Sequence, residues 1–427
     1  MKIRQLARIF SLIMAAAFVM SCQQTSTTST PPATPTPTTT LAIREIDSPA
    51  GTDSREPELY ATTDGRIIFS WVEKIGEQHH ALRYTVRDAK GWSEPRRVAE
   101  GDDWFVNWAD FPSVVAQSPQ QLTAHWLVKS GSSTYAYDVN VARSEDGGAT
   151  WSKPVVPHTD KTKTEHGFVS LLPQADGRVG AVWLDGRNFK DVKGESDDHH
   201  APSPVSMTLR YANIDEDSQL SDEALLDERV CECCQTAAAF TSDGAIVVYR
   251  DRSEREVRDI YFVRLQNGSW SKPQPVHVDD WEISACPVNG PTIAADGRRV
   301  AVAWYTEAGD KPRVQIAFSN DAGATFGEAT QVDDGNAVGR ADVLLLRDGS
   351  ALVCWLSGTA EGGAVKVRRI HPDGKLDPVA VVAKSSIARS SGFPRMARLD
   401  NEILFAWTQF DKPTRVKTAI ATLDDGK

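Results

Sequence analysis

From residue 57 onward one unit recurs: a short apolar run, a turn that usually holds Asp-Gly, and a second run ending in an aromatic. It reads PELYATTDGRIIFSW to Trp71, PSVVAQSPQQLTAHW to Trp126, SLLPQADGRVGAVW to Trp183 and AAAFTSDGAIVVY to Tyr249. It continues as TIAADGRRVAVAW to Trp304, VLLLRDGSALVCW to Trp355 and RMARLDNEILFAW to Trp407, with aromatics 55, 57, 66, 55, 51 and 52 residues apart. Asp-Gly between β-branched runs is a hairpin signal, because glycine accepts the positive φ of a tight turn. A third strand follows each aromatic, as in HALRYTV or DIYFVRL, and a fourth follows Trp92-Ser-Glu-Pro, Trp151-Ser-Lys-Pro and Trp270-Ser-Lys-Pro. Four strands at this period are what propeller blades produce. The prediction is an all-β chain, a single β-propeller of four-stranded blades over residues 41–427, with seven blades, or six if one copy is a decoration. The last unit ends after its third strand, AIATL, so TLAIREID ahead of the first unit is expected to supply the missing outer strand. Closure of that kind removes the exposed sheet edges that template aggregation.

The first 40 residues have another character. Lys2, Arg4 and Arg8 precede an apolar stretch from Ile9 to Val19, too short for the ~20 residues that span a bilayer. The stretch closes on Val19-Met20-Ser21-Cys22, which resembles a bacterial lipobox, so residues 1–21 read as a lipoprotein signal peptide and Cys22 as the acylated residue. Residues 23–40 hold eleven Ser/Thr, four Pro and no charge, the composition of an extended stalk that cannot bury enough surface to fold. Gln23 after the cysteine resembles lipoproteins sorted to the outer membrane, which implies a body held at the bacterial cell envelope; a monomer is expected. The net charge of −11, which becomes about −14 once three signal-peptide cations leave, argues against a nucleic-acid partner.

Two further turns are specific: Ser144-Glu-Asp146-Gly-Gly-Ala-Thr150-Trp151 and Ser319-Asn-Asp321-Ala-Gly-Ala-Thr325-Phe326. Ser-x-Asp-x-Gly-x-Thr-aromatic resembles the Asp box of the sialidase (neuraminidase)-like BNR-repeat propellers. The whole chain, with NWADFPS, TEHGFVSL, VWLDGRN, CECCQT and YRDRS, resembles bacterial lipoproteins commonly labelled exo-α-sialidase. In that family the boxes lie opposite the active site. Chain direction therefore assigns the functional face to the loops leading into the first strands and to the loops that follow the aromatics.

That face collects the candidate chemistry. The resemblance implies an exo-glycosidase acting on an acidic glycan, which needs an arginine cluster for a carboxylate, a tyrosine–glutamate nucleophile and an aspartic acid/base. Arg55, Arg250 and Arg340 are the candidate triad, since guanidinium pairs carboxylate in a bidentate fork. Arg55-Glu56-Pro57 is similar to the family's Arg-Ile-Pro segment, with Glu56 as a departure. Asp110, flanked by Trp108 and Phe111, is the candidate acid, because burial among aromatics raises a carboxyl pKa. No loop into the first strands of the last three blades offers a tyrosine, which argues against a tyrosine-based retaining mechanism, while a carboxylate pair such as Asp110 with Glu165 could serve a different glycosidase or lyase chemistry. Trp104 and Trp108 are candidates to stack on a sugar, and His166, Asp185, Arg187 and Arg252 to contact it. No cofactor is required by this chemistry. Cys231, Cys233, Cys234 and Cys286 form a separate set on the same face, expected to be disulfides in an oxidising compartment or a thiolate site for Cu or Zn. His79-His80 and His199-His200 are possible further ligands. The alternatives to an enzyme are a non-catalytic glycan- or protein-binding propeller and a metal-binding propeller.

Overall fold

A computed structural model describes residues 41–190 and 205–423; the expectations placed on residues 1–40 and on His199-His200 lie outside the described residues. Seven sheets are formed, and each of the seven repeat aromatics lies on the second strand of one of them. Blade 1 runs Ser54–Ala61, Ile67–Lys74, His80–Asp88 and the outer pieces Gly91–Trp92 and Arg96–Gly101. Blade 2 has three strands, Ser113–Ala116, Leu122–Lys129 and Tyr137–Ser144, with a single bridge from Val141 to Val155 at the outer position. Blade 3 contains His166–Pro173 and Val179–Asp185, blade 4 Ala237–Thr241 and Gly244–Arg250, blade 5 Thr292–Asp296 and Arg299–Thr306, and blade 6 Ala337–Leu345 and Ala351–Thr359. In blade 7, Arg395–Leu399, Glu402–Gln409 and Arg415–Thr422 are completed by Ile43–Ile46, with Ile43 opposite Ala421 and Ile46 opposite Thr418. The first strands of neighbouring blades touch in a closed circuit, so the chain is a seven-bladed β-propeller. Among the described residues the only helical pieces are the short turns Arg187–Phe189 and Arg389–Ser391, and no helix is long and apolar enough to cross a membrane.

There is no single core. Seven apolar clusters fill the seven gaps between adjacent blades. Side chains alternate across each sheet, so every second strand feeds two gaps. Ile67, Phe69 and Trp71 pack toward blade 7, while Ile68 packs toward blade 2. Trp183, Trp304 and Trp355 are fully buried in this way. Each contributes roughly 2–3 kcal/mol of apolar burial.

The Trp-Ser-x-Pro segments repeat one device. Ser93, Ser152 and Ser271 each give a backbone N–H to the third strand, at Val86, Arg143 and Arg264. Each serine hydroxyl then accepts the N–H of that same residue, at 3.0, 3.1 and 3.0 Å. The proline two positions on has no N–H to continue the ladder, so the outer strand breaks there. The two Asp turns are superimposable in their bonding. Asp146 and Asp321 each accept a backbone N–H at 2.9 Å and a hydroxyl at 2.6 Å, from Thr150 and Thr325 respectively. Ser144 and Ser319 hydroxyls accept the N–H of Gly148 and Gly323. At Gly148, with φ +82°, a Cβ would sit 1.7 Å from the Tyr84 hydroxyl, so no side chain fits.

Candidate active site

Three first strands are bulged at equivalent places, and each bulge holds a left-handed residue that is not glycine: Glu56 (φ 56°), Phe168 (φ 53°) and Arg340 (φ 53°). Such conformations cost of order 1–3 kcal/mol each and concentrate at functional sites. All three lie on the face that chain direction assigns to function, and all three are buried.

The reactive groups gather on Tyr137, the first residue of the third strand of blade 2. Its hydroxyl lies 2.7 Å from Asp110 Oδ2 and 2.8 Å from Glu165 Oε1, and all three side chains are buried. An isolated parallel bridge joins Tyr137 to Glu165 across the seam between blades 2 and 3. The Phe168 N–H, released from the ladder by the bulge, donates to Asp110 Oδ1 at 2.8 Å. A Cβ on Gly167 would come 2.0 Å from Asp110 Oδ2 and 2.8 Å from the Tyr137 ring, so only glycine allows this approach. Phe105 covers Tyr137, its ring parallel at 3.9 Å.

One phenolic O–H donates to one acceptor at a time, so the second short contact requires a proton on a carboxyl group. Burial supplies the reason: it pushes Asp110 up to about 7 and Glu165 up to about 8, and raises the Tyr137 phenol well above its ordinary range. Glu56 belongs to the same group. Burial first, then the charge of Asp110, push its carboxyl up against the pull of Arg55, and its Oε2 is buried without a hydrogen bond. Two carboxyl oxygens bonded to one phenolic oxygen at 2.7 and 2.8 Å are at most about 5.5 Å apart.

Asp110 and Glu165 are thus brought together, on the hydroxyl of a tyrosine. Tyr137 escapes a reading that looks for tyrosine in the loops before first strands, because it opens a third strand instead. The rule that a third strand also begins on the functional face would have found it.

The arginine triad is not assembled. Arg250 gives Nε and Nη2 to the Asn289 carbonyl, Nη1 to that of Arg258 and Nη2 to that of Tyr305, so every nitrogen is committed to backbone. Arg340 spends Nη1 on the Ala388 and Gly392 carbonyls and the Ser391 hydroxyl, with its guanidinium 4.6 Å over the Trp108 ring. Buried loop carbonyls need donors, and these arginines supply them. Arg55 differs, being half-buried with an Nε that has no hydrogen bond.

Four further expectations need correcting. Trp104 is core, stacked on Trp126 at 6.0 Å rather than open to a sugar. Asp185 is fully buried and accepts from Trp183 Nε1 at 2.9 Å and from Arg187 Nε and Nη2 at 2.7 Å. Arg252 is buried in ion pairs with Glu232 and Glu256. His166 is buried on the far side of the strand from Tyr137, against His158. Trp108 keeps a half-buried position, stacked on Phe393 at 6.0 Å.

The cysteines sit where blades 4 and 5 meet. Cys233 and Cys286 form a disulfide with Cα atoms 6.2 Å apart, while Cys231 and Cys234 face each other as buried thiols at 2.9 Å. Burial raises the Cys231 thiol, but its bond to Cys234 and the charge of Arg258 outweigh that and bring it to about 7. Cys354 is a buried free thiol on a second strand. His79 meets Asp102 at 2.7 Å.

No protein-family model and no curated protein matches the sequence. Among solved structures, a polysaccharide lyase described as an ulvan lyase, bound to a glucuronate–sulfated rhamnose unit, is similar with a TM-score of 0.54 and 11% identity over 87% of this chain and 95% of its own. What the two share is the fold. An α-L-arabinanase of Penicillium chrysogenum complexed with arabinobiose aligns with a TM-score of 0.46 and 12% identity, over 87% of this chain and 94% of its own. An α-L-arabinofuranosidase of Fusarium graminearum aligns with a TM-score of 0.45 and 13% identity, over 74% and 93%.

Proposed function

We propose that this protein is a glycan-cleaving exo-glycosidase, of the exo-α-sialidase type in its Tyr–Glu–Asp chemistry, and that it works as a monomer held at the bacterial outer membrane by a lipid on Cys22. The observation that carries this reading is the Tyr137 hydroxyl shared between Asp110 and Glu165. The reaction starts from the state of the pair in which Asp110 holds the shared proton and Glu165 is ionised, and Asp110 gives that proton to the glycosidic oxygen as the bond to the leaving sugar breaks. The Tyr137 oxygen bonds to the anomeric carbon while Glu165 takes the phenol's proton, which an unaided phenol of raised pKa would not release. Water then displaces Tyr137 from the anomeric carbon, giving its proton to Asp110, and the phenolate recovers its own from Glu165. The substrate's acidic group falls to Arg55 alone, since Arg250 and Arg340 are spent elsewhere. Use of a propeller on uronate-containing glycan by the similar lyase is a fold-level analogy in the same direction. The cysteine cluster serves as a staple between blades when oxidised, and Cys231, Cys233 and Cys286 have one Sγ each within 4.8 Å as a soft-metal set when reduced.

The test is sugar release by the full chain from a panel of sialylated and uronate-capped oligosaccharides. Turnover is expected for at least one class, with Tyr137→Phe and Asp110→Asn each lowering kcat by about a thousandfold or more. A fluorinated substrate analogue should leave a glycosyl group on Tyr137, read by mass spectrometry. Binding without any product would remove the enzyme reading and leave a glycan-binding propeller; an unsaturated product would reassign the trio to elimination.

A further inference from the structure

A staple between two blades needs two cysteines, yet four meet at the seam of blades 4 and 5. Cys231 and Cys234 are each 1% exposed, whereas Cys233 and Cys286 are half-buried, with Ser284 and Ala285 exposed beside them. An inner dithiol therefore lies beneath an outer disulfide. The two pairs are within reach of each other: Cys231 Sγ is 2.9 Å from Cys234 Sγ and 4.0 Å from Cys286 Sγ.

Thiol–disulfide exchange proceeds by attack of one thiolate on a disulfide sulfur, through a mixed disulfide. Cys231 is the sulfur placed to attack. Arg258 Nη1 donates to its Sγ at 3.4 Å, and its backbone N–H is tied to the Arg250 carbonyl at 3.0 Å. Cys231-Glu-Cys-Cys234 is also a Cys-x-x-Cys segment, the spacing of local redox pairs. The seam itself does not depend on which sulfurs are joined. Gln235 donates Nε2–H to the Ala109 carbonyl at 2.6 Å and accepts the Gly290 N–H at 2.9 Å. Arg250 Nε and Nη2 donate to the Asn289 carbonyl at 3.0 and 2.7 Å. These bonds hold the two loops together while the disulfide moves.

We propose that the four cysteines form a thiol–disulfide exchange site whose substrate is an external disulfide. The Cys231 thiolate attacks Cys286 Sγ; the Cys231–Cys286 bond forms as the Cys233–Cys286 bond breaks, and Cys233 leaves as a thiolate that takes up the proton Cys231 gave up. Cys234 then loses its proton and attacks Cys231 Sγ, so that Cys286 leaves and is protonated. One disulfide has replaced another, with no net oxidation. The outer pair is now a half-exposed dithiol. It passes two electrons and two protons to a disulfide-bearing molecule, which departs as two thiols while Cys233–Cys286 re-forms and the inner pair stays joined as Cys231–Cys234. The inference does not depend on the glycan-cleaving reading, because its readout is thiol chemistry.

The experiment holds the folded full chain with chelator and iodoacetamide, then maps its tryptic peptides. Cys231, Cys233 and Cys234 fall on one such peptide and Cys286 on another, so the Cys233–Cys286 disulfide links two peptides and exchange unlinks them. The expected product is a separated pair of peptides, labelled on Cys233 and Cys286, with a Cys231–Cys234 disulfide. Cys231→Ser should slow that labelling about tenfold or more. Cys234→Ser should stop at the Cys231–Cys286 stage, with the peptides still linked and Cys233 labelled. Cys354→Ser, which lies in the gap between blades 6 and 7, should behave as wild type. In a second arm, excess oxidised glutathione should release two glutathione thiols per wild-type chain and none from Cys231→Ser. Should Cys231→Ser fail to fold, the labelled Cys233 of Cys234→Ser carries the test. Peptides that stay linked with Cys286 unlabelled in wild type, Cys286 labelling that Cys231→Ser leaves unchanged, or no release of glutathione each overturns the proposal; the disulfide would then be a fixed staple.

Discussion

Asp110 is shut away from water, yet it accepts only two hydrogen bonds, from the Tyr137 hydroxyl and the Phe168 amide. Those bonds pull its carboxyl pKa down, but burial wins and leaves it at about 7. The sign of the consequence for stability follows. Below about pH 4 the carboxyl is protonated in both folded and unfolded chains and costs nothing. Between about pH 4 and 7 the unfolded chain releases this proton while the folded one keeps it, so stability declines as pH rises, and above about 7 the full penalty is present. A shift of about three units corresponds to a few kcal/mol. Asp110→Asn keeps the shape and removes the charge. Its melting temperature relative to wild type should therefore climb by a few degrees between pH 4 and 7.5 and then level off, while its activity is lost. Paired thermal melts across that range read the difference; a pH-independent offset would mean that Asp110 is ionised in the folded state.

At the scale of turns and strands the same residue type acts in reverse. Asp321 is held well below the usual carboxylate range, first by the Thr325 hydroxyl and also by Ser319 and two backbone amides, and Asp146 is held at about 2 by the matching Thr150 contacts. Depressed carboxyls stabilise the fold above about pH 4 and lose that contribution as pH falls through their folded values. These turns tie the outer hairpin to the inner one on the face away from Tyr137: the Gly147 N–H donates to the Gln120 carbonyl and the Ala322 N–H to that of Arg298. Asp321→Ala should lower the melting temperature by a few degrees at pH 7, with the gap narrowing below pH 4. Turnover measured well below the melting point should stay within twofold of wild type. A large loss of kcat at low temperature would show that the turn face is coupled to the mouth.

Over the whole ring, what could be read from sequence was what repeats. Trp71, Trp126 and their five counterparts announce second strands because alternation and Asp-Gly turns coincide seven times, and each aromatic is then buried between blades. Asp110 stood out because a carboxylate between Trp108 and Phe111 on a loop is locally odd. Tyr137 did not, since its contact with Glu165 spans 28 residues across a blade seam, and the one local signal for it is that it opens a third strand on the same face. Arg250 and Arg340 misled for a physical reason: an arginine at a strand end looks the same in sequence whether its fork meets solvent or backbone carbonyls. Ring closure is the reading with the largest consequence. Ile43–Ile46 pairs along the whole of its length with Arg415–Thr422, Arg415 reaches back to the carbonyls of Ser48 and Ala50 at 3.0 and 2.9 Å, and Leu41, Ile43 and Ile46 pack into the gaps beside blade 7. Deleting residues 41–47 strips blade 7 of its outer strand, uncovers that apolar surface and leaves an edge free to pair with other chains. The deletion should lower the melting temperature by about 10 °C or more and promote concentration-dependent aggregation. Removing ten residues from the Ser/Thr/Pro segment instead should leave it within a degree. A synthetic peptide of residues 41–52 added in trans should restore part of the loss in proportion to its concentration, because it binds only the folded ring. Failure of the peptide to rescue, with the melting temperature of the deletion unchanged from wild type, would mean that the ring closes through the three strands of blade 7 alone.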